Sequence, residues 1–321
     1  MRSRTRFLLS ALLALTAAFP AAAENFPNKP IRLVVPVPPG GTSDFMARQL
    51  AEQMSRSLGQ AVVVDNKPGA NQTIAGLFVQ RAPADGYTIL LGSFAMVVNP
   101  FMMTNSPYRH TDFEAVSLMA YTPNVLLAGP SAGVSTVAEL LAKARAEPGK
   151  ITYASTSPGG SPHLSGALFN SMAKVDTLHV PFNGAAPATT ALLGGHVNLM
   201  FDNLPTALAQ IRAGKVKALA VTTKARVPVV PDVPTLDEAG LRGYEVMAWF
   251  GVFAPKGTPP QVVSLLANEV RKAVNQAEVR ERFQNLGAVS VGSSPAEFAS
   301  TLRSEATKWE AVIREAGIKV E

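Results

Sequence analysis

The chain has 321 residues, with 29 Lys and Arg against 23 Asp and Glu, and a formal net charge of +6. It contains no cysteine, which excludes disulfides, thiol catalysis and thiolate metal sites. The charge is mild and unclustered, so no nucleic-acid partner is expected, and the length points to about two domains.

Arg2, Arg4 and Arg6 form a basic head, and residues 7–19 are an apolar run broken only by Ser10 and Thr16. Pro20 then leads into Ala21, Ala22 and Ala23, with Glu24 beyond. These are the parts of a cleaved secretory signal peptide, expected at residues 1–23. The run is shorter than the roughly 20 residues that cross a bilayer. Loss of the three arginines lowers the formal charge from +6 to +3. No later segment is long and apolar enough to span a membrane, so stable membrane insertion is not expected.

From residue 31 the pattern alternates between strand and helix. Residues 31–35 predict a strand. Gly40 and Gly41 lead into a helix with the apolar stripe Met46, Leu50, Met54 and Leu58, stopped by Gly59. A strand at 61–64, a helix near 74–81, a turn at 84–86 and a strand at 88–92 complete a first β-α-β-α-β unit. That order implies a parallel sheet with helices on both faces. Residues 113–120 and 124–128 read as extended segments leading out of this unit.

The same grammar then restarts. A helix is predicted from Thr136 to Ala146, opened by the capping box Thr136-x-x-Glu139. Strands follow at 151–154, 177–180, 197–201 and 216–221, with helices at 162–172, 185–193 and 204–212. Residues 227–234 are a proline-rich loop, and 244–253 read as a second long extended segment. Two further helices begin near Thr258 and Ser294, each with a hydroxyl cap, a proline at the first helical position and Gln or Glu at the third. Two α/β units joined by two extended segments make a hinge. The expected division is 24–125 plus 249–321 for the first domain and 126–248 for the second.

The strongest local feature is the stretch Pro38, Pro39, Gly40, Gly41 and Thr42 between the first strand and its helix. Prolines stiffen the approach, and the glycines let the backbone come close to a ligand. Free N–H groups of a helix start favour an anion. A stiff turn with an ordinary helix start accounts for the same residues. Asp44 is read as a partner of Arg48 four residues on, worth about 0.2–0.5 kcal/mol. A second loop of the same kind carries Ser155, Ser157, Gly159, Gly160, Ser161 and His163. Asn183, Gly184 and Ala185, Asp202 and Ser93 also stand where a strand gives way to a helix. For Asp202 helix capping is the stronger reading, and for Trp249 and Phe250 core packing is. The four histidines have no metal-ligand spacing, and no catalytic motif is present, so neither enzyme activity nor a cofactor or metal is expected.

Residues 28–44, with Pro38, Pro39, Gly40, Gly41, Thr42, Ser43 and Asp44, resemble the receptors of tripartite tricarboxylate transporters, the Bug receptors. Residues 64–70, 84–92, 148–155, 193–197, 201–205, 231–235 and 249–251 extend the resemblance over nearly the whole chain. It implies a type II periplasmic-binding-protein fold, an α/β architecture of two domains that close on a ligand cleft. It also implies a small carboxylate held by the 38–42 loop with the 155–161 loop opposing it. Membrane transporter subunits are the expected partners, and a periplasmic monomer the expected state. A ligand-sensing subunit of a signalling system, or a periplasmic ester hydrolase, are the alternatives.

Overall fold

The computed structural model describes residues 26–319. The expected signal peptide therefore lies outside the described residues. Among them no helix is long and apolar enough to cross a membrane.

The first strands are β1 (Ile31–Val35), β2 (Val62–Asn66) and β3 (Thr88–Ser93). They pair in parallel, with β1 between the other two. Helix α1 (Thr42–Leu58) links β1 to β2, and α2 (Thr73–Gln80) lies between β2 and β3. Strand alternation explains the layering. Ile31, Leu33 and Val35 pack on the face that takes Met46, Leu50 and Met54 of α1. Val34 and Leu90 point the other way, into a cluster with Ala75 and Val79 of α2. A short helix the pattern did not announce, α3 (Ala95–Met102), follows β3 directly. It contains Pro100 and has no side-chain cap, so neither periodicity nor punctuation marked it.

The two extended segments expected at 113–120 and 124–128 are one strand, β4 (Phe113–Ala128). Pro123 caused the misreading. It ends the pairing of β4 with β9 (Met247–Pro255), and Asn124 begins the pairing with β7 (Leu199–Asn203). Proline has no N–H to give a ladder, and here it stands where the strand changes partners. β4 and β9 run antiparallel to their neighbours, so the sheet is mixed rather than all-parallel.

The second group contains β5 (Thr152–Ser155), β6 (Leu178–Pro181), β7 and β8 (Lys217–Val221). β5 lies between β6 and β7 in parallel, and β4 carries both β7 and β8. Helices α4 (Val137–Ala146), α5 (Ser161–Ala173), α6 (Ala185–Leu193) and α7 (Leu204–Arg212) connect them. The chain returns through β9 to α8 (Pro260–Asn275), α9 (Ala277–Asn285), the short β10 (Val289–Ser290) and α10 (Pro295–Glu315). Ser294 and Glu297 form the expected capping box of α10. Thr258 does not cap α8. Its hydroxyl donates to the Pro255 carbonyl, and the helix starts after Pro259.

The two crossings between the groups are tied together. Thr222 donates its backbone N–H to the Asn124 carbonyl at 3.0 Å, and its hydroxyl donates to the Val246 carbonyl at 2.6 Å. Trp249 and Phe250 are buried beside them; Trp249 packs edge-on against Phe298.

Gly92 and Gly251 pair across β3 and β9. A Cβ on Gly251 would enter the Phe298 ring, and one on Gly92 would enter the Phe253 ring. Gly251→Val is therefore expected to destabilise the protein by about 1–3 kcal/mol or more through overpacking. A lower urea midpoint with an unchanged slope checks this; an unchanged midpoint contradicts the packing described.

Candidate functional site

Four loops that leave the carboxyl ends of parallel strands converge. They follow β1 and β2 in the first lobe and β5 and β6 in the second. Open α/β sheets bind ligands at such positions. The loops enclose a cavity of about 340 Å³ lined by residues 36–38, 68–72, 156–158 and 183–184. The lining holds no charged side chain. Asn71, Gln72, Thr156, Ser157 and Asn183 supply its polar groups, and prolines 36, 38, 68 and 158 its apolar ones.

Pro38 and Gly184 pinch the cleft. A Cβ on Gly184 would stand 3.5 Å from the Pro38 ring. Beyond the pinch lies a second cavity of about 630 Å³, lined among others by Gly40, Gly41, Thr42, Ala185 and Gln210. Two helices open onto it without a side-chain cap, α1 behind Gly41 and α6 behind Gly184. Their first N–H groups carry the positive ends of the helix dipoles. Thr42 is buried, and among the described residues neither its hydroxyl nor Gln210 Oε1 has a partner.

Asp44 shapes the first loop from behind. Its carboxylate accepts from the Gly40 N–H at 3.1 Å, from Arg48 Nε and Nη2 at 3.0 Å each, and from Asn66 Nδ2 at 3.0 Å. Burial works against the charge, but the hydrogen bonds from Arg48, Gly40 and Asn66 outweigh it and hold the carboxyl below its ordinary value. The Arg48 pairing expected from the spacing is thus one of three anchors, and the Gly40 N–H turns inward to Asp44.

The remaining expected site residues are distributed as follows. Pro38, Ser157, Asn183 and Gly184 line the smaller cavity; Gly40, Gly41, Thr42 and Ala185 line the larger. Pro39 is exposed and lines neither. Ser93 is buried and donates to Gln72 Oε1 at 3.0 Å. Gly159 abuts Asn99 across the cleft, and Gly160 precedes α5. Ser161 donates to Asn124 Oδ1 at 3.3 Å, in a buried group with Asn203 and Ser165. Ser155 Oγ lies 2.7 Å from His179 Nε2, which resembles a nucleophile and its base, but Ser155 is fully buried.

His163 stacks on His179 at 4.0 Å and accepts from the Gly159 N–H through Nδ1. Burial and the neighbouring His179 push His163 down to about 3, and burial pushes His179 down to about 4, so both rings are neutral near pH 7. Asp202 accepts from the Asn203 N–H and the Thr206 hydroxyl, each at 2.8 Å, beneath the start of α7. Asp202 does not cap the helix as expected, since Asn203 is the N-cap and α7 has no side-chain cap; its bonds tie the turn before α7 to Thr206.

Sequence reasoning missed the loop at 68–73. Residues 64–70 entered only through the family resemblance, and nothing announced that Ala70, Asn71 and Gln72 all have positive φ.

A family model described as the tripartite tricarboxylate transporter family receptor matches residues 46–318. The chain belongs to this receptor family. A Pseudomonas sp. protein named for its place in the tcbD–tcbE intergenic region is 42% identical over 316 residues, covering 97% of this chain and 94% of that one. BugT of Bordetella pertussis is 36% identical, covering 94% of each chain. Among solved structures, an R. palustris protein with adipate superposes with a TM-score of 0.89 at 36% identity, covering 92% of the receptor and 99% of that chain. MatC of Rhodopseudomonas palustris with bound malate gives 0.86 at 35% identity, covering 90% and 100%. The receptor therefore has the two-lobed fold of periplasmic binding proteins.

Burial raises the Asp202 carboxyl from 3.8 to about 7, against the hydrogen bonds from Thr206 and Asn203. The unfolded chain gives up this proton first, so the folded receptor loses stability from Asp202 as pH rises from about 4 to about 7. Asp202→Asn has no proton to lose. The melting temperature of the variant relative to the unsubstituted receptor is expected to rise across this window. A difference that stays constant with pH contradicts the burial of an ionisable group there.

Proposed function

We propose that this receptor captures a small dicarboxylate between its lobes in the periplasm and delivers it to the membrane subunits of a tripartite transporter. One observation carries the reading. The cavity between the four loops is lined by amides, hydroxyls and backbone, with no Lys or Arg. Such a site holds a carboxylate through N–H and O–H donors and helix starts rather than through a paired cation. Adipate and malate, named with two similar structures, are both dicarboxylates, which supports the class of ligand.

Cleavage after residue 23 and a monomeric state belong to the same proposal. So do the lobe boundaries 24–125 with 249–321 and 126–248, which place the crossings near Asn124 and Val246, where Thr222 ties them together. The receptor binds its ligand without turning it over. The burial of Ser155 beneath His179 favours a structural hydrogen bond over a nucleophile.

The energetics are modest. Micromolar capture needs about −8.2 kcal/mol. Each helix start contributes about 0.3–1 kcal/mol. Hydrogen bonds to a charged ligand, at about 1.5–3 kcal/mol each, supply most of the rest.

A thermal-shift screen of refolded receptor against mono-, di- and tricarboxylates tests the proposal. A cognate dicarboxylate at a hundredfold excess over Kd adds about 2.7 kcal/mol of apparent stability, and its diamide adds none. Gly184→Val adds a branched side chain at φ +108 against Pro38 and is expected to lose the shift while keeping the circular dichroism of the fold. A folded, unsubstituted receptor that responds to no carboxylate sinks the ligand assignment.

A further inference from the structure

The 68–73 loop has the most unusual backbone lining the cleft. Gly69 has φ +123, and three L-residues in succession, Ala70, Asn71 and Gln72, have φ of +44, +53 and +70. Side chains avoid this region, and such runs persist only where their surroundings enforce them, most often at functional sites. The enforcing contacts are specific. Asn99 Nδ2 donates to the Asn71 carbonyl at 2.8 Å, the Tyr108 hydroxyl to the Gln72 carbonyl at 3.4 Å, and the Thr73 hydroxyl to the Ala70 carbonyl at 2.6 Å.

The outcome is a buried glutamine whose amide is held between two hydroxyls. Ser93 donates to Gln72 Oε1 at 3.0 Å, and on the other side Gln72 Nε2 donates across the cleft to Ser157 Oγ at 3.3 Å. Gln72 and Ser157 both line the 340 Å³ cavity. An amide nitrogen carries two hydrogens. The bond to Ser157 uses one of them, at the long end of the range. Among the described residues the other meets no acceptor.

We infer that Gln72, oriented by Ser93, is a specificity-determining residue of the cleft, whose amide N–H donates to a second acid group at the ligand end beside the 68–73 loop. The inference rests on the carboxylate reading above and deepens it by assigning one donor from the first lobe. A site built to hydrogen-bond a ligand group discriminates strongly against the analogue that lacks it, because the donor is then buried unpaired.

The test is calorimetric titration of the purified receptor with two ligand pairs, adipate with hexanoate and malate with β-hydroxybutyrate. Within each pair a methyl replaces one carboxylate. Gln72→Met keeps the length of the side chain and removes the donor, and Ser93→Ala leaves Gln72 but frees its amide. The unsubstituted receptor is expected to prefer the diacid. Gln72→Met weakens the diacid about 10- to 100-fold and the monoacid little, so the preference collapses. Ser93→Ala moves the ratio the same way by less, and decides the matter alone should Gln72→Met fail to fold. A purely structural role would weaken both members of a pair equally. Folded variants that retain the original diacid-to-monoacid ratio overturn the role of Gln72 and leave the receptor reading intact. An unsubstituted receptor that binds the monoacid of either pair as tightly as the diacid also overturns the role of Gln72.

Discussion

The buried carboxylate of Asp44 is the constraint from which the cleft follows. It draws in the Gly40 N–H from the loop after β1, Asn66 from the end of β2 and Arg48 from the next turn of its own helix. Asn66 also donates to the Val37 carbonyl at 3.0 Å, so the approach to Gly40 is held at both ends. A single charge thus joins the two loops that form the first-lobe wall. It lines neither cavity and is paired locally with Arg48.

With that wall fixed, the chemistry of the cleft depends on neutral groups. Prolines give it shape, and uncapped helix starts, hydroxyls and amides give it polarity. In a desolvated cleft such fixed dipoles act more strongly than in water, and they avoid the cost of burying an unpaired lysine or arginine while the cleft is empty. The pinch of Pro38 against Gly184 divides the space into two chambers. The hinge tie through Thr222 and the buried Asn124 group keep the second-lobe loop in register with the crossing strands.

Much of this was legible in the chain. Apolar periodicity placed α1, because Met46, Leu50 and Met54 share a stripe, and the capping box at Ser294 marked α10. The proline- and glycine-rich loops were visible as strand-to-helix turns. Other features depend on contacts distant in sequence. Pro123 looked like a break because proline usually is one, yet here it marks a change of partner within a single strand. Ser155 and His163 stood in the loop that follows β5, but the Ser155 hydroxyl and the His163 ring both turn onto His179. Gln72 was invisible because the conformation of its loop is imposed by Asn99, 28 residues from Asn71, and by Tyr108, 36 residues from Gln72. Local pattern reports what a segment prefers; these positions are set by what the rest of the fold requires.

The most direct measurement is a crystal structure of the receptor grown with a dicarboxylate that shifts its melting temperature. The account predicts the ligand between the four loops, with its carboxylates on backbone N–H groups, hydroxyls and the side-chain amides of the cleft, and with no Lys or Arg in contact. A carboxylate paired with a cationic side chain, or a ligand seated away from the Pro38–Gly184 pinch, would contradict it.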